Sequence, residues 1–472
     1  MPTVNEKLDS IFHAYDVRGK YPEEINEETA YEFGLALGRF LELKQEAGNR
    51  QIMVGRDSRN SSFALADNLA EGLLNHSFDV VDLGLVSAPL LSFAVISEGA
   101  AGGVMVTASH NPSDQNGFKL CRFGARPIAG ESGLSEIKGL MEKEEEKDFV
   151  ELSLGRLSRQ NLLEKYLNFI KKSVDLKKLE PLKIVVDCSN GSMGPEISAL
   201  AKEIPGQVEL LFVEPNGDFP GHQPDPLKEE NLAILKEKVL AQKADLGVAF
   251  DGDGDRVIFV DEKGEAVRGD FILAIVAGEM LKKKPGKIFY EVRSSRVVPE
   301  FIKQNGGEPV LGRAGHSNIK ERMRKENIDL GGELSGHYFF KETGFMDNAL
   351  LAMLKILEIL SETKKPFSEI AAPLKKYFVS GEINFEVSDP AGILGKIEKK
   401  YAEGQAELGR DRAERGGQIK KIDGLSVEFP DWWFNLRESN TEPLVRLNLE
   451  AKNPEILEEK IAELRSFIQE SS

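Results

Sequence analysis

The sequence predicts an α/β fold: three related mixed β-α-β-α-β units with largely parallel sheets, followed by a C-terminal α+β unit. Three observations carry this. An alternation of apolar runs and helical patterns begins at Gln51 and returns twice at long intervals. Each recurrence runs from its third strand into a polar loop. The 472 residues also exceed what one core fills, and roughly 100 to 200 residues per domain gives three or four domains.

Ahead of the repeat, HAYDVRG at 13–19 follows a short apolar pair, and a helical pattern covers 28–43. In the first unit 52–55, 80–83 and 104–106 read as strands, with helices at 61–74 and 89–97. Asn116-Gly117 reads as a tight turn that sends 118–120 back as a strand. The second unit has strands at 184–186, 208–213 and 246–250 and helices at 195–203 and 229–243. The third has strands at 288–290, 309–311 and 328–330 and helices at 298–304 and 319–326. A helix at 162–174 links the first two units, and one at 345–360 closes the third. After Thr363-Lys364-Lys365-Pro366 come strands near 383–387 and 426–428, a Gly-and-charge-rich loop at 404–417 and a closing helix at 454–469. The expected divisions are 1–155, 156–256, 257–367 and 368–472, for the nucleophile, metal, sugar and phosphate loops in that order.

A net charge of −17 lacks the basic footprint that nucleic acid or an anionic membrane requires, so neither is expected as a partner. Cys121 and Cys188 lie far apart without metal-ligand spacing, which fits a reducing compartment. No basic segment followed by an apolar run opens the chain, and Lys355 and Glu358 interrupt its most apolar stretch. The expected location is therefore cytoplasmic.

The chemistry lies in four loops. In TASHNP, at 107–112, Ser109 stands at a strand end beside His110, with Lys119 near if the following strand returns. A hydroxyl beside a proton acceptor and a cation is the inventory for covalent or phosphoryl-transfer chemistry. In DGDGDR, at 251–256, glycines alternate with Asp251, Asp253 and Asp255 and let three carboxylates converge on one hard cation. A calcium-binding helix-loop-helix is excluded, because Arg256 stands where that loop needs Gly and both flanks read as strands; Mg²⁺ fits better. In GGELSGH, at 331–337, Glu333, Ser335 and His337 sit among glycines that allow close approach, and a carboxylate next to a hydroxyl suits adjacent sugar hydroxyls. His316 follows the middle strand of the same unit. In RESNTEP, at 437–443, Arg437, Ser439, Asn440 and Thr441 offer a forked cation plus small donors, a phosphate cradle. Arg18 is either a phosphate clamp or a salt-bridged surface residue. Nucleophile, metal, polyol grip and phosphate cradle together indicate phosphoryl transfer on a phosphosugar.

These motifs, in this order and separation and with YDVRG, NGFK and GHS as lesser matches, resemble the α-D-phosphohexomutase family along essentially the whole chain. The resemblance implies four domains around a cleft and interconversion of hexose 1-phosphate and 6-phosphate through phosphorylated Ser109, one Mg²⁺ and a hexose 1,6-bisphosphate intermediate. It implies that Asp251, Asp253 and Asp255 hold the metal with a phosphoserine oxygen, and that Arg256, Lys119 and His110 serve the transfer. Tyr15, Arg18, Arg293, His316, Glu333, Ser335 and His337 are expected at the phosphorylated hexose, in a monomer or small homo-oligomer. Asn440 is similar to the phosphomannomutase/phosphoglucomutase members, with phosphoglucosamine mutase as the alternative inside the family and a noncatalytic metal- and carbohydrate-binding protein as the alternative outside it. Arg293, where bacterial relatives commonly have Lys, and Leu334, where they have Met, leave the sugar preference open.

Overall fold

The computed structural model describes residues 4–45, 48–76, 78–143, 154–407, 417–439 and 443–471. Four sheets organise them. In the first, Asn49–Arg56 lies between Asp79–Leu85 and Ala100–Val106, all parallel. In the second, Leu182–Asp187 lies between Gly206–Leu211 and Leu246–Phe250, and in the third Lys287–Glu291 lies between Glu308–Gly312 and Leu330–Gly332. The earliest strand of each repeat is thus central, and the next two add to either side of it. Crossover helices on the faces produce this arrangement, because a parallel neighbour cannot be reached by a tight turn.

Each repeat then continues in the same way. Gln115–Arg122, Val257–Val260 and Tyr338–Phe340 return antiparallel beside the third strands. The three polar loops therefore bridge a parallel strand's carboxyl end to an antiparallel return, and all three emerge at equivalent edges.

The structure corrects several expectations. Asn116-Gly117 is no turn: both residues lie within a strand and pair with Gly19 and Arg18 of Val17–Lys20. Gly117 is required by close approach, since a Cβ there would stand 1.9 Å from the Val17 carbonyl oxygen. Asn116 is buried and donates to Ser61 and Ser62. Leu157–Arg159 pairs with Asp79–Leu85, so the first sheet extends past 155 and covers an otherwise open strand edge. The second sheet likewise runs through Ala266–Val267, past 256, because the aspartate loop turns the chain back onto its own sheet. The C-terminal sheet is wholly antiparallel, in the order Phe378–Glu386, Leu444–Ala451, Trp432–Glu438, Leu425–Glu428, Gln418–Lys420. It carries a helix, Pro390–Glu407, over a stretch whose end had read as loop.

One apolar core runs through the first three units. It joins Met53, Ile184, Phe250, Leu273, Leu330 and Leu354, among others, without a break. The helix Ala349–Thr363 is its spine. Asn348 caps it by accepting from Leu351 N, and it is buried on nearly every face, with Lys355 and Glu358 only half-buried. Each such Leu or Ile contributes about 1.5–3 kcal/mol. The C-terminal unit has a core of its own, around Ile397, Phe434, Leu447 and Leu464. Among the described residues no helix is long and apolar enough to cross a membrane.

At the junction of the first two units, Glu196 is 2% exposed. Its Oε1 accepts from Ser87 N at 3.2 Å, and its Oε2 is buried without a hydrogen-bond partner. Burial pushes this carboxyl up to about 7. The folded protein therefore holds a proton that the unfolded chain releases near 4.5, and stability falls as pH rises through that interval. Glu196→Gln keeps the acceptor and removes the titration. In denaturant melts from pH 4.5 to 8 the variant is expected to lose part of the wild-type decline and to gain about 2–3 kcal/mol relative to wild type by pH 8; parallel curves would disprove the assignment.

Candidate active site

Ser109 leaves the fully buried strand Ala100–Val106 in a left-handed conformation, with φ 53°. A residue with a side chain is held there only where its surroundings over-determine it. The surroundings are Arg59 and Asp57. The Arg59 guanidinium, with no exposed side-chain surface, donates to the carbonyls of Ser109 at 2.9 Å, Asn111 at 2.7 Å and Gln115 at 3.0 Å, and to that of Pro112. Asp57 anchors the guanidinium at 3.0 Å and accepts from Thr107, whose Oγ1 in turn accepts from Ser109 N at 2.7 Å. Neither residue was singled out from the sequence. The parallel between Arg56-Asp57-Ser58-Arg59 and Arg293-Ser294-Ser295-Arg296 was the available signal.

Arg18 braces the same loop. It pairs with Asp16 at 2.7 Å and donates to Ala108 O and Asn111 Oδ1. Ser109 Oγ donates to Asp251 Oδ2 at 2.8 Å, and His110 Nδ1 lies 3.3 Å from the same Oγ. Burial, with the charges of Arg256, Arg18 and Lys119, holds His110 well below its ordinary range, so it is neutral.

Asp251, Asp253 and Asp255 are buried, and one carboxylate oxygen from each lies within 4.8 Å of the others. Two glycines make this packing feasible. Gly254 takes φ 73°, and a Cβ on Gly252 would stand 2.4 Å from the Ser109 carbonyl. Lys119 reaches across from the first sheet to Asp253 at 2.7 Å and Asp255 at 2.6 Å. Arg256 returns its backbone N–H to Asp251 Oδ1 at 3.1 Å, with Nε 3.9 Å from Oδ2. Burial and the neighbouring Asp255 and Asp253 push Asp251 well up; burial would do the same to Asp255, but Lys119 and His337 hold it well down. Asp253 Oδ1 is buried without a hydrogen-bond partner. Three carboxylates, two of them with a buried oxygen that makes no hydrogen bond, next to a hydroxyl fit a hard divalent cation.

The third unit's loop joins this cluster through His337. Its Nε2 lies 3.2 Å from Asp255 Oδ1, and its Nδ1 lies 3.1 Å from Glu333 Oε2 and 3.0 Å from Ser335 Oγ. Burial opposes charge on His337, yet the two carboxylates raise it to about 9, while His337, Arg293 and the Gly315 N–H hold Glu333 near 2 despite its burial. His316 stacks 6.2 Å from His337 and lies tilted 5.9 Å from Tyr15, and burial with the Lys320 charge lowers it to about 3. Tyr15 accepts from Asn318 at 3.4 Å. The TASHNP loop, the three aspartates and the GGELSGH loop thus form one connected site.

Arg437 and Ser439 belong to a second group. Arg437 donates to Glu382 at 2.8 Å, and Arg293, paired with Glu291 at 2.6 Å, stands 3.9 Å from the same Glu382. Glu291 also accepts from Leu334 N at 3.2 Å, which ties this group to the sugar loop. Asn440 and Thr441 lie outside the described residues. Sequence reasoning missed Glu291 and Glu382, which fall in no motif.

Four family models match in chain order: phosphoglucomutase/phosphomannomutase alpha/beta/alpha domain I over 9–148, domain II over 164–264, domain III over 268–377 and the C-terminal domain over 382–466. A phosphomannomutase of Vibrio cholerae is 38% identical over 467 residues, covering 97% of this chain and 98% of that protein. One from Methanocaldococcus jannaschii is 38% identical over 463 residues, covering 97% of each. The crystal structure of a phosphoglucomutase/phosphomannomutase family protein from Burkholderia thailandensis superposes with a TM-score of 0.86 at 32% identity, covering 98% of this chain and 97% of that one. With the repeat, the loops and these matches in agreement, the chain belongs to the phosphoglucomutase/phosphomannomutase family, phosphohexomutases that act as isomerases by moving a phosphoryl group within one sugar.

Proposed function

We propose that the enzyme interconverts hexose 1-phosphate and hexose 6-phosphate, of mannose, glucose or both, through phosphorylated Ser109. The observation that carries this is the 2.8 Å contact between Ser109 Oγ and Asp251, which seats the nucleophile inside the acidic cluster. Asp251, Asp253 and Asp255, with an oxygen of the phosphoryl group on Ser109, would hold Mg²⁺, which when bound offsets charge on the transferring group.

The chain's own residues supply the rest. A sugar hydroxyl attacks phosphorus; its new O–P bond forms as the bond to Ser109 Oγ breaks, and the hydroxyl proton passes to a neutral acceptor. His110, uncharged and 3.3 Å from Oγ, is that acceptor, and it passes the proton to Ser109 Oγ as that oxygen leaves. Lys119, which the aspartates keep charged against its burial, and Arg256 balance the phosphoryl oxygens. Glu333 and Ser335, held by His337, grip neighbouring sugar hydroxyls and leave the 2-position unread, which admits both epimers. Arg437, Ser439, Asn440, Thr441 and Arg293 seat the phosphate that does not react. The resulting hexose 1,6-bisphosphate turns in the cleft and returns its other phosphate to Ser109, and the same bisphosphate primes a dephosphorylated enzyme. The unpaired thiols Cys121 and Cys188 suit a reducing, cytoplasmic setting.

Ser109→Ala is expected to lower mutase turnover on mannose 1-phosphate at least about a thousandfold while leaving the melting temperature near wild type; near-normal turnover would refute the phosphoserine route. Exhaustive chelation is expected to stop turnover and added Mg²⁺ to restore it, and full activity in excess chelator would count against the aspartate loop.

A further inference from the structure

Glu382 stands where the fourth sheet meets the third unit. Its strand, Phe378–Glu386, pairs with Leu444–Ala451, but the register slips between Val379 and Glu382, and Gly381 in that bulge takes φ 68°. Such a bulge bends the strand and re-aims the side chain that follows it. The carboxylate comes to lie among guanidiniums from three segments: Arg437 Nη2 at 2.8 Å, Arg446 Nη1 at 3.2 Å and, from the third unit, Arg293 Nη1 at 3.9 Å. Arg437 and Arg446 are directly paired across adjacent antiparallel strands, a placement that like charges destabilise. Arg446 Nη2 also donates to Ser439 Oγ at 3.2 Å. The three cations thus converge on Glu382 beside Ser439, with Arg293 also held by Glu291. Burial alone would raise that carboxyl, but the Arg437 hydrogen bond and the surrounding charges hold it below its ordinary range, so it is an anion at neutral pH.

Resting on the reading of this loop as the phosphate seat, we propose that Glu382 is a positioning residue for the reaction: the seat's resident anion, which keeps Arg437, Arg446 and Arg293 converged between substrates and yields them to the incoming phosphate. The reorientation of a bisphosphate gives such a residue its use. The sugar must leave the seat by one phosphate and return by the other, so a grip that never loosens would halt the cycle. A carboxylate that retakes the guanidiniums offsets part of what is lost when the phosphate departs. Without it, Arg437 loses the carboxylate that competes with the ligand for its guanidinium, and release slows.

The test titrates inorganic phosphate calorimetrically into wild type, Glu382→Gln, Glu382→Asp and Arg437→Ala, and measures KM and kcat on mannose 1-phosphate for the same proteins. Glu382→Gln is expected to bind phosphate about threefold tighter or more and to lower KM and kcat together. Glu382→Asp, which keeps the charge, returns both toward wild type. Equal or weaker phosphate binding by Glu382→Gln, or a raised KM, overturns the role of Glu382 while a weakened Arg437→Ala leaves the seat standing. Undiminished phosphate binding by Arg437→Ala overturns the seat itself, and the role of Glu382 with it.

Discussion

Mutual repulsion among Asp251, Asp253 and Asp255 is the constraint from which the rest of the molecule follows. Two like charges about 4 Å apart repel by about 4 kcal/mol at the effective dielectric of a protein surface, and these three are buried. Such a cluster survives folding only if cations are brought to it or a proton is held, and the raised Asp251 carboxyl supplies part of that relief. Arg256 comes from the loop itself, Lys119 from the first sheet and His337 from the third. No one unit can balance the charge alone, so charge balance ties the three together, and their continuous core fixes them at the required distances.

The repeat makes that convergence geometrically cheap. Each unit places its third parallel strand beside the first and then turns back antiparallel, so each delivers a loop at the equivalent sheet edge. Three copies of one architecture, packed about a shared interior, present three different loops to one point. The open carboxyl ends of α/β sheets are general ligand sites, and here three of them face each other.

The parts of this arrangement that local sequence controls were legible from it. Strand and helix order in the three units followed from apolar periodicity, and the motif loops followed from residue types whose chemistry is hard to mistake, as with Asp251, Asp253 and Asp255. What failed depended on partners distant in the chain. Asn116-Gly117 has turn chemistry, but Val17–Lys20 lies close against it and Gly117 is there for want of a Cβ. Arg59 looks like any basic loop residue until four carbonyls of the nucleophile loop close around it. The helix Pro390–Glu407 offered Ile393, Ile397 and Tyr401 at helical spacing, but its glycines and charges weakened the signal. Leu157–Arg159 is exposed along its length and pairs only because a strand edge was left open beside it.

The C-terminal unit obeys a different logic. From Phe378 on it has a separate core, and polar contacts join it to the third unit: Arg296 donates to the carbonyls of Pro430 and Trp432, Glu450 accepts from Arg296 N, and Asp423 accepts from Ala314 N beside His316. Polar contacts between separate cores can be exchanged for water or for a ligand at modest net cost, whereas opening an apolar core exposes surface at about 25 cal/mol for every Å². A rigid three-unit floor therefore suits the charge cluster, which tolerates no drift, and a separately cored fourth unit suits the proposed phosphate seat, which would have to grip and let go. The bulge at Gly381 sets Glu382 at that boundary, where one carboxylate faces cations from both sides. Rigid where charge is concentrated and exchangeable where the proposed phosphate seat lies, the chain divides two physical tasks between two kinds of interface.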